Sequence, residues 1–236
     1  MNFEKYWDCI EFKFDDLLKY GFIHLPPMSE IDLKEIDGKI TNSMQGKVFK
    51  ELSSEHKIFL DKILLDKCLA PKLLQLAREK FKYKGSISNQ YHVARMVTNE
   101  NKNEGYRAHF DSHIFTLVIP INIPKYESEY APTGELIFFP KIRKFTNNEF
   151  VNFIGKLWFY RYASKKGIDK LSMKHTMYTN NFEDYRPLLF LGKSVFHTNA
   201  IISDKMSSHR LTLLAHYFDS SPKYGIGNLL RIIRNR

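Results

Sequence analysis

YRAHFDSH, residues 106–113, decides how this chain is read. Its pattern predicts a strand over 106–111, and alternate residues of a strand share a face. His109 and Asp111 then point to one side and Phe110 to the other. An imidazole and a carboxylate side by side on the inner wall of a β-barrel are two legs of a metal tripod. The third leg should be a histidine arriving late in the chain on an antiparallel neighbour. His197, in KSVFHTN (193–199), is placed for that role.

Two histidines and one carboxylate on one face of an octahedral ion leave the other positions open, an arrangement suited to iron(II) and O₂ chemistry. His113 has the parity of Asp111 but is not a third ligand. Alternate side chains sit about 6.5–7 Å apart along a strand, so three ligands within five residues converge poorly. His113 is read as lining the site, and His92, His175 and His216 as ordinary core or surface histidines. Further on, HRLTLL (209–214) puts Arg210 and Thr212 on one strand face. A guanidinium in an apolar barrel costs several kcal/mol without an anionic partner. Arg210 therefore implies a bound acid or a structural carboxylate, with the Thr212 hydroxyl beside it.

Working outward, the chain is helical first and then mostly strand. Residues 3–20 have apolar positions at helical spacing and stop before Gly21. FIHLPP (22–27) reads as a strand halted by two prolines. Ser29 can cap a short helix, Ser54 can open another over 56–69, and Pro71 can begin a third with Gly85 as its stop. Strands are expected at 89–97, 106–111, 114–124, 134–140, 187–192, 193–201 and 209–219. With 22–27 that makes about eight, the number of a double-sheet jelly roll.

An insertion at 141–185 interrupts them. Thr146 and Glu149 suggest a capping box ahead of FVNFIGKLWFYRYASKKG (150–167), with Gly167 as its end. Apolar residues at 150, 153, 154, 157 and 158 give a face expected to pack on the barrel rim and close the mouth of the site. The fold expected is α+β: a jelly-roll (double-stranded β-helix) core with N-terminal helices and a helical insertion. One domain spans 1–236, with a helical front at 1–85, the core at 86–219 and a basic tail at 220–236.

The 236 residues carry 36 Lys+Arg against 26 Asp+Glu, net +10. The excess is local. Residues 141–175 hold nine cations and two acids, and residues 222–236 hold four cations and no acid. The body is near neutral, so a nucleic-acid-binding face is not indicated; the local charge could meet an anionic small-molecule substrate or a membrane surface. With 43% hydrophobic residues the chain is not disordered, and two cysteines make neither a disulfide scaffold nor a cysteine zinc site. The N-terminus has no continuous apolar run, and no window reaches the length of a membrane span. A cytoplasmic location is the expectation, and oligomeric state stays open.

The ordered set His-x-Asp, distal His, then Arg-x-Thr on the final strand resembles the iron(II)/2-oxoglutarate-dependent oxygenases. KYGFIHLPP (19–27) and GELIFFP (134–140) resemble, more loosely, the phytanoyl-CoA-hydroxylase-like branch. The resemblance implies that His109, Asp111 and His197 bind Fe(II), that Arg210 clasps the distal carboxylate of 2-oxoglutarate with help from Thr212, and that O₂ is consumed. Asn89 and Tyr91 resemble the Asn-x-Tyr of the alkylation-repair demethylases and are candidates to reach the co-substrate. The second arginine of those enzymes is replaced here by His216. Asp111 fills the position that related halogenases leave vacant, so hydroxylation or desaturation is expected. Two other functions stay open: a protein or nucleic-acid hydroxylase of the same chemistry, and a jelly-roll binding module without turnover.

Overall fold

The computed structural model describes residues 5–7, 13–44, 48–51, 65–100, 104–124, 132–203 and 209–219. Helix α1, Phe14–Tyr20, ends at Gly21, whose φ of 87° suits a residue without Cβ and whose N–H donates to the Leu17 carbonyl at 2.8 Å. The chain turns there directly into strand β1, Phe22–His24. Helix α2 runs Glu30–Met44, longer than Ser29 alone suggested, and helix α3 runs Ala70–Phe81. Lys82, not Gly85, takes the left-handed position that ends α3. The Ser54 start and most of the helix expected after it lie outside the described residues, as does the basic tail.

Among the described residues nine strands form two sheets. Besides β1 they are β2 (Phe49–Glu51), β3 (Gln90–Val97), β4 (His113–Asn122), β5 (Leu136–Phe139), β6 (Tyr178–Asn180), β7 (Leu188–Leu191), β8 (Phe196–Asn199) and β9 (Arg210–Asp219). The larger sheet has the order β1-β7-β4-β9-β3-β2 and the smaller β6-β5-β8, and every pairing is antiparallel. This is the jelly-roll arrangement of two facing sheets. Seven of the eight strands expected from sequence form, the segment 106–111 does not, and β2 and β6 are additions. They are three residues each, too short for an alternating pattern to register.

The alternation of β4 and β9 sorts the core. Leu117, Ile119, Leu211, Leu213, Ala215 and Tyr217 pack outward against Leu33, Ile36 and Ile40 of α2 and Leu73, Leu76 and Ala77 of α3. Val118, Leu188 and Phe190 of the larger sheet meet Leu136 and Phe138 of the smaller between the layers. Phe22 stacks edge-on against Phe138 at 5.0 Å across that gap. Ile137, Phe139 and Phe196 pack on the other side of the smaller sheet against Ile168 and Leu171. The outward positions of the larger sheet are covered by helices, leaving the inter-sheet face free to carry polar side chains.

The insertion departs from its expected form. Helix α4 runs Glu149–Tyr160 with Asn148 as its cap, Asn148 Oδ1 accepting from Val151 N at 3.2 Å. Thr146 Oγ1 accepts from the Asn148 N–H instead, so no Thr146–Glu149 box forms. Gly167 does not end this helix. It lies inside a second one, α5 (Lys165–Ser172, capped by Ser164), where a Cβ would come within 2.5 Å of Tyr162 Cα. The apolar stripe expected to pack also faces the other way. Phe150, Val151, Ile154, Leu157 and Trp158 are 47–67% exposed. The inward side holds Phe159, edge-on to Phe110 at 5.1 Å, and Lys156, whose Nζ donates to Ser112 Oγ at 2.9 Å. Gly155 leaves room there for Arg143, whose guanidinium lies 3.9 Å over the Phe110 ring. No helix among the described residues is long and apolar enough to cross a membrane.

Candidate active site

The segment 106–111 is extended but is not a strand of either sheet. It runs beside β8 and is held by single hydrogen bonds at intervals. His109 N donates to His197 O and His197 N to His109 O, both at 3.0 Å, Tyr106 N donates to Asn199 O at 2.7 Å, and Asp111 N to Gly192 O at 3.0 Å. The positive φ of Tyr106, 57°, and the turn at 104–106 break the ladder before it becomes regular. Alternation still places His109 and Asp111 together, with Nε2 of one 3.6 Å from Oδ1 of the other. The bridge to β8 brings in His197, its Nε2 3.8 Å from Asp111 Oδ2. One ligand atom from each of the three lies within 4.8 Å of the others.

Hydrogen bonding sets the tautomers. His109 Nδ1 lies 2.9 Å from the Arg107 carbonyl, and His197 Nδ1 lies 3.3 Å from the Val195 carbonyl. A carbonyl only accepts, so each Nδ1 carries the proton and each Nε2 turns a lone pair toward Asp111. Burial drives His197 down to about 4, against the pull of Asp111, so it is neutral at physiological pH. Burial would raise the Asp111 pKa, but His197, His216 and His109 around it hold the carboxyl well below its usual range. A neutral His197 and an ionised carboxylate therefore converge, with His109 Nε2 beside them.

Two residues that sequence reasoning set aside or passed over belong to this cluster. Thr116 Oγ1 donates to Asp111 Oδ2 at 2.5 Å and lies 3.1 Å from His216 Nδ1. The hydroxyl proton is committed to the carboxylate, so His216 Nδ1 donates to Thr116, giving a chain that pins one carboxylate oxygen. The register makes this possible, since Thr116 and His216 are direct partners across β4 and β9. His216 is thus not an ordinary core histidine. His113 stacks on it at 5.1 Å and on Tyr91 at 6.3 Å, and burial, then His216, lower His113 well below its usual range. His92 and His175 do read as expected, one against Tyr217 in the helix-facing layer and one exposed.

Arg210 is 4% exposed at the start of β9, with Thr212, also buried, two residues on. One guanidinium nitrogen of Arg210 donates to the Gly134 carbonyl, which also accepts from Asn199 Nδ2 at 3.1 Å. Asn199 Oδ1 accepts from Arg95, whose second contact is the Glu104 carbonyl at 3.1 Å. Arg107 pairs with the Glu104 carboxylate at 2.9 Å. Asn199 is two residues beyond His197 on β8, so the two share a face. The arginine cluster begins one side-chain step, about 6.5–7 Å, from the tripod. Burial lowers Arg210 to about 9, helped by the neighbouring charge of Arg95 and opposed by Glu135. Its Nε is buried without a hydrogen-bond partner.

The Asn89 and Tyr91 pair divides. Asn89 Nδ2 donates to the Asp219 carbonyl at 2.7 Å, and Asn89 O accepts from Phe218 N, so this residue ties down the end of β9 and faces no site. Tyr91 pairs with His216 across β3 and β9 and stacks on it at 6.1 Å, which places it in the histidine cluster.

No protein-family model matches the chain, and no curated protein matches it in sequence. Solved structures do match. A prolyl-4-hydroxylase from Pseudomonas putida superposes with a TM-score of 0.52 at 12% identity, covering 86% of this chain and 95% of that one. The non-haem alpha-ketoglutarate-dependent carbocyclase SnoK from nogalamycin biosynthesis gives 0.57 at 11%, covering 95% and 92%. A prolyl 4-hydroxylase from Phytophthora capsici gives 0.55 at 14%, covering 98% and 73%. The chain has the fold of the iron- and 2-oxoglutarate-dependent oxygenases, and a His-Asp-His cluster lies within it.

Proposed function

We propose that the protein is an Fe(II)/2-oxoglutarate-dependent dioxygenase that hydroxylates a small molecule. The observation that carries this reading is the convergence of His109, Asp111 and His197, one ligand atom each, within 4.8 Å. Two imidazole nitrogens and one carboxylate oxygen suit iron(II) and leave half its coordination sphere for other ligands. Bound there, the metal with 2-oxoglutarate and O₂ supplies the oxidation, converting the co-substrate to succinate and CO₂.

The chain's own residues do the positioning. Thr116 and His216 orient Asp111. Arg210, with an unpartnered buried Nε, holds the distal carboxylate, and Thr212 stands beside it. Arg95 adds a second positive charge to that end of the pocket. Asp111 occupies the carboxylate position, which leaves no vacancy for a halide and supports hydroxylation over halogenation. Lys156 at Ser112 places a cation beside the metal residues, which supports an acidic substrate.

Anaerobic titration should give one Fe(II) per chain and slow formation of succinate from 2-oxoglutarate without added substrate. His197→Ala should abolish both. Arg210→Ala should keep Fe(II) binding but raise the KM for 2-oxoglutarate by about 30-fold or more, since a desolvated charged pair is lost. Arg210→Lys should recover little, because an ammonium lacks the planar fork. Fe(II) binding that survives His197→Ala would sink the reading.

A further inference from the structure

The outward face of α4 is a different kind of surface from the rest of the molecule. Phe150, Val151, Ile154, Leu157 and Trp158 fall within one third of the helix circumference and are 67, 51, 47, 57 and 60% exposed. Tyr160 is 77% exposed at the helix end. A soluble helix normally buries such a stripe, and here the opposite side packs on Phe110 and Ser112 instead. Arg161 lies 3.9 Å over the Trp158 ring, putting a cation at the edge of the apolar face. Around it the segment 141–175 has nine cations and two acids, and Lys144, Lys165, Lys166, Lys170 and Lys174 are exposed.

We propose that α4 docks this protein on an anionic lipid surface. An apolar helical stripe with a tryptophan and a tyrosine, bordered by lysines and arginines, matches the interfacial zone of a bilayer. The apolar side chains enter the acyl boundary while the cations meet acidic headgroups. A second copy of the chain fits less well. Two such faces would bring together two segments 141–175, each net +7 over its length. The stripe is also small: twelve residues of helix span about 18 Å, so a strip one side chain wide falls well short of the roughly 800 Å² per partner of a stable dimer. Because Lys156 on the inward side touches Ser112, the helix lies next to the His-Asp-His cluster with its docked face turned away from it. The proposal stands on the surface alone and does not depend on the chemistry of that cluster.

The chain contains a built-in reporter. Of its two tryptophans, Trp7 is fully buried and Trp158 is exposed, so a vesicle-induced emission change reads α4. The full-length protein is mixed with phosphatidylcholine vesicles with and without phosphatidylserine, and followed by Trp emission and co-sedimentation. A blue shift and sedimentation are expected only with phosphatidylserine, both weakened at 1 M salt, where the screening length is about 3 Å. The double variant Ile154→Ser, Leu157→Ser keeps the reporter and changes no residue of the buried core clusters, and should bind at least about tenfold more weakly with an unchanged melting temperature. Lys166→Gln with Lys170→Gln should cost about fivefold per charge. Absence of binding to the acidic vesicles, or equal binding by the serine variant, overturns the proposal. So does a blue shift that needs only higher protein concentration and coincides with dimers in sedimentation velocity, which would assign the face to a second copy.

Discussion

Asp111 is positioned less by its own strand than by what crosses behind it. Thr116 holds one carboxylate oxygen, and Gly192 leaves the space in which both residues sit. A Cβ on Gly192 would lie 2.7 Å from the His113 carbonyl, 2.9 Å from Asp111 Cβ and 3.0 Å from Thr116 Oγ1. Gly192→Ala should therefore lower metal affinity by about 10–100-fold through displacement of Asp111, with the sheets intact by circular dichroism. Thr116→Val should have a similar effect because the carboxylate loses its donor, and Thr116→Ser should restore most of it; equal affinities in all three proteins would show that Asp111 needs no such support. His109 and Asp111 were legible from parity alone, since two residues apart on an extended segment is a local fact. Thr116 and His216 were not, because their pairing depends on the register between two strands 100 residues apart in sequence. The bond from Asn89 to the Asp219 carbonyl was not legible either, because a motif says which residue types are near a site, not which backbone carbonyl a side chain satisfies.

At the scale of elements, the helix in the insertion was readable and its orientation was not. Periodicity shows that a stripe exists, but the side that packs is decided by Lys156, Phe159 and the gap at Gly155. The strands were found by their β-branched and aromatic runs, and the jelly-roll count followed; β2 and β6 escaped because three residues carry no period. Helix α2 is joined to the start of β9 by a polar cluster in which His209 Nε2 lies 2.9 Å from Asp37 Oδ1, and Thr41 Oγ1 donates to the same oxygen at 2.9 Å. Burial raises the Asp37 pKa, but the hydrogen bonds from His209 and Thr41 outweigh it and the net shift is downward. The folded-state pKa lies below the unfolded one, so this stabilisation is present above an unfolded pKa of about 3.9 and disappears as pH falls through the folded value. Asp37→Asn should lower stability by about 1–3 kcal/mol at neutral pH, and the deficit should vanish in acid. Denaturant titrations at neutral and acidic pH test this, and a deficit constant with pH would assign the loss to packing.

On the scale of the whole molecule, two sheets face each other and the metal residues are drawn from the seam. His109 and Asp111 come from a segment that belongs to neither ladder, and His197 comes from the smaller sheet. Metal that binds only the folded arrangement must stabilise it, by about 2.7 kcal/mol at a hundredfold excess over Kd. For a chain of 236 residues that corresponds to a rise in Tm of about 5–10 °C, reversed by a chelator. An unchanged Tm at saturating metal would show that the folded chain does not bind the ion in preference to the unfolded one. The two hydrogen bonds between His109 and His197 carry a further consequence, one of time. They join a loosely held strap to a paired strand, so the amides of His109 and His197 report each parting of the two. Without an ion, deuterium should enter there early and independently of the long β4–β9 ladder. With an ion bound, the strap can lift only after a ligand lets go, and the residence time of the metal becomes the clock of the seam.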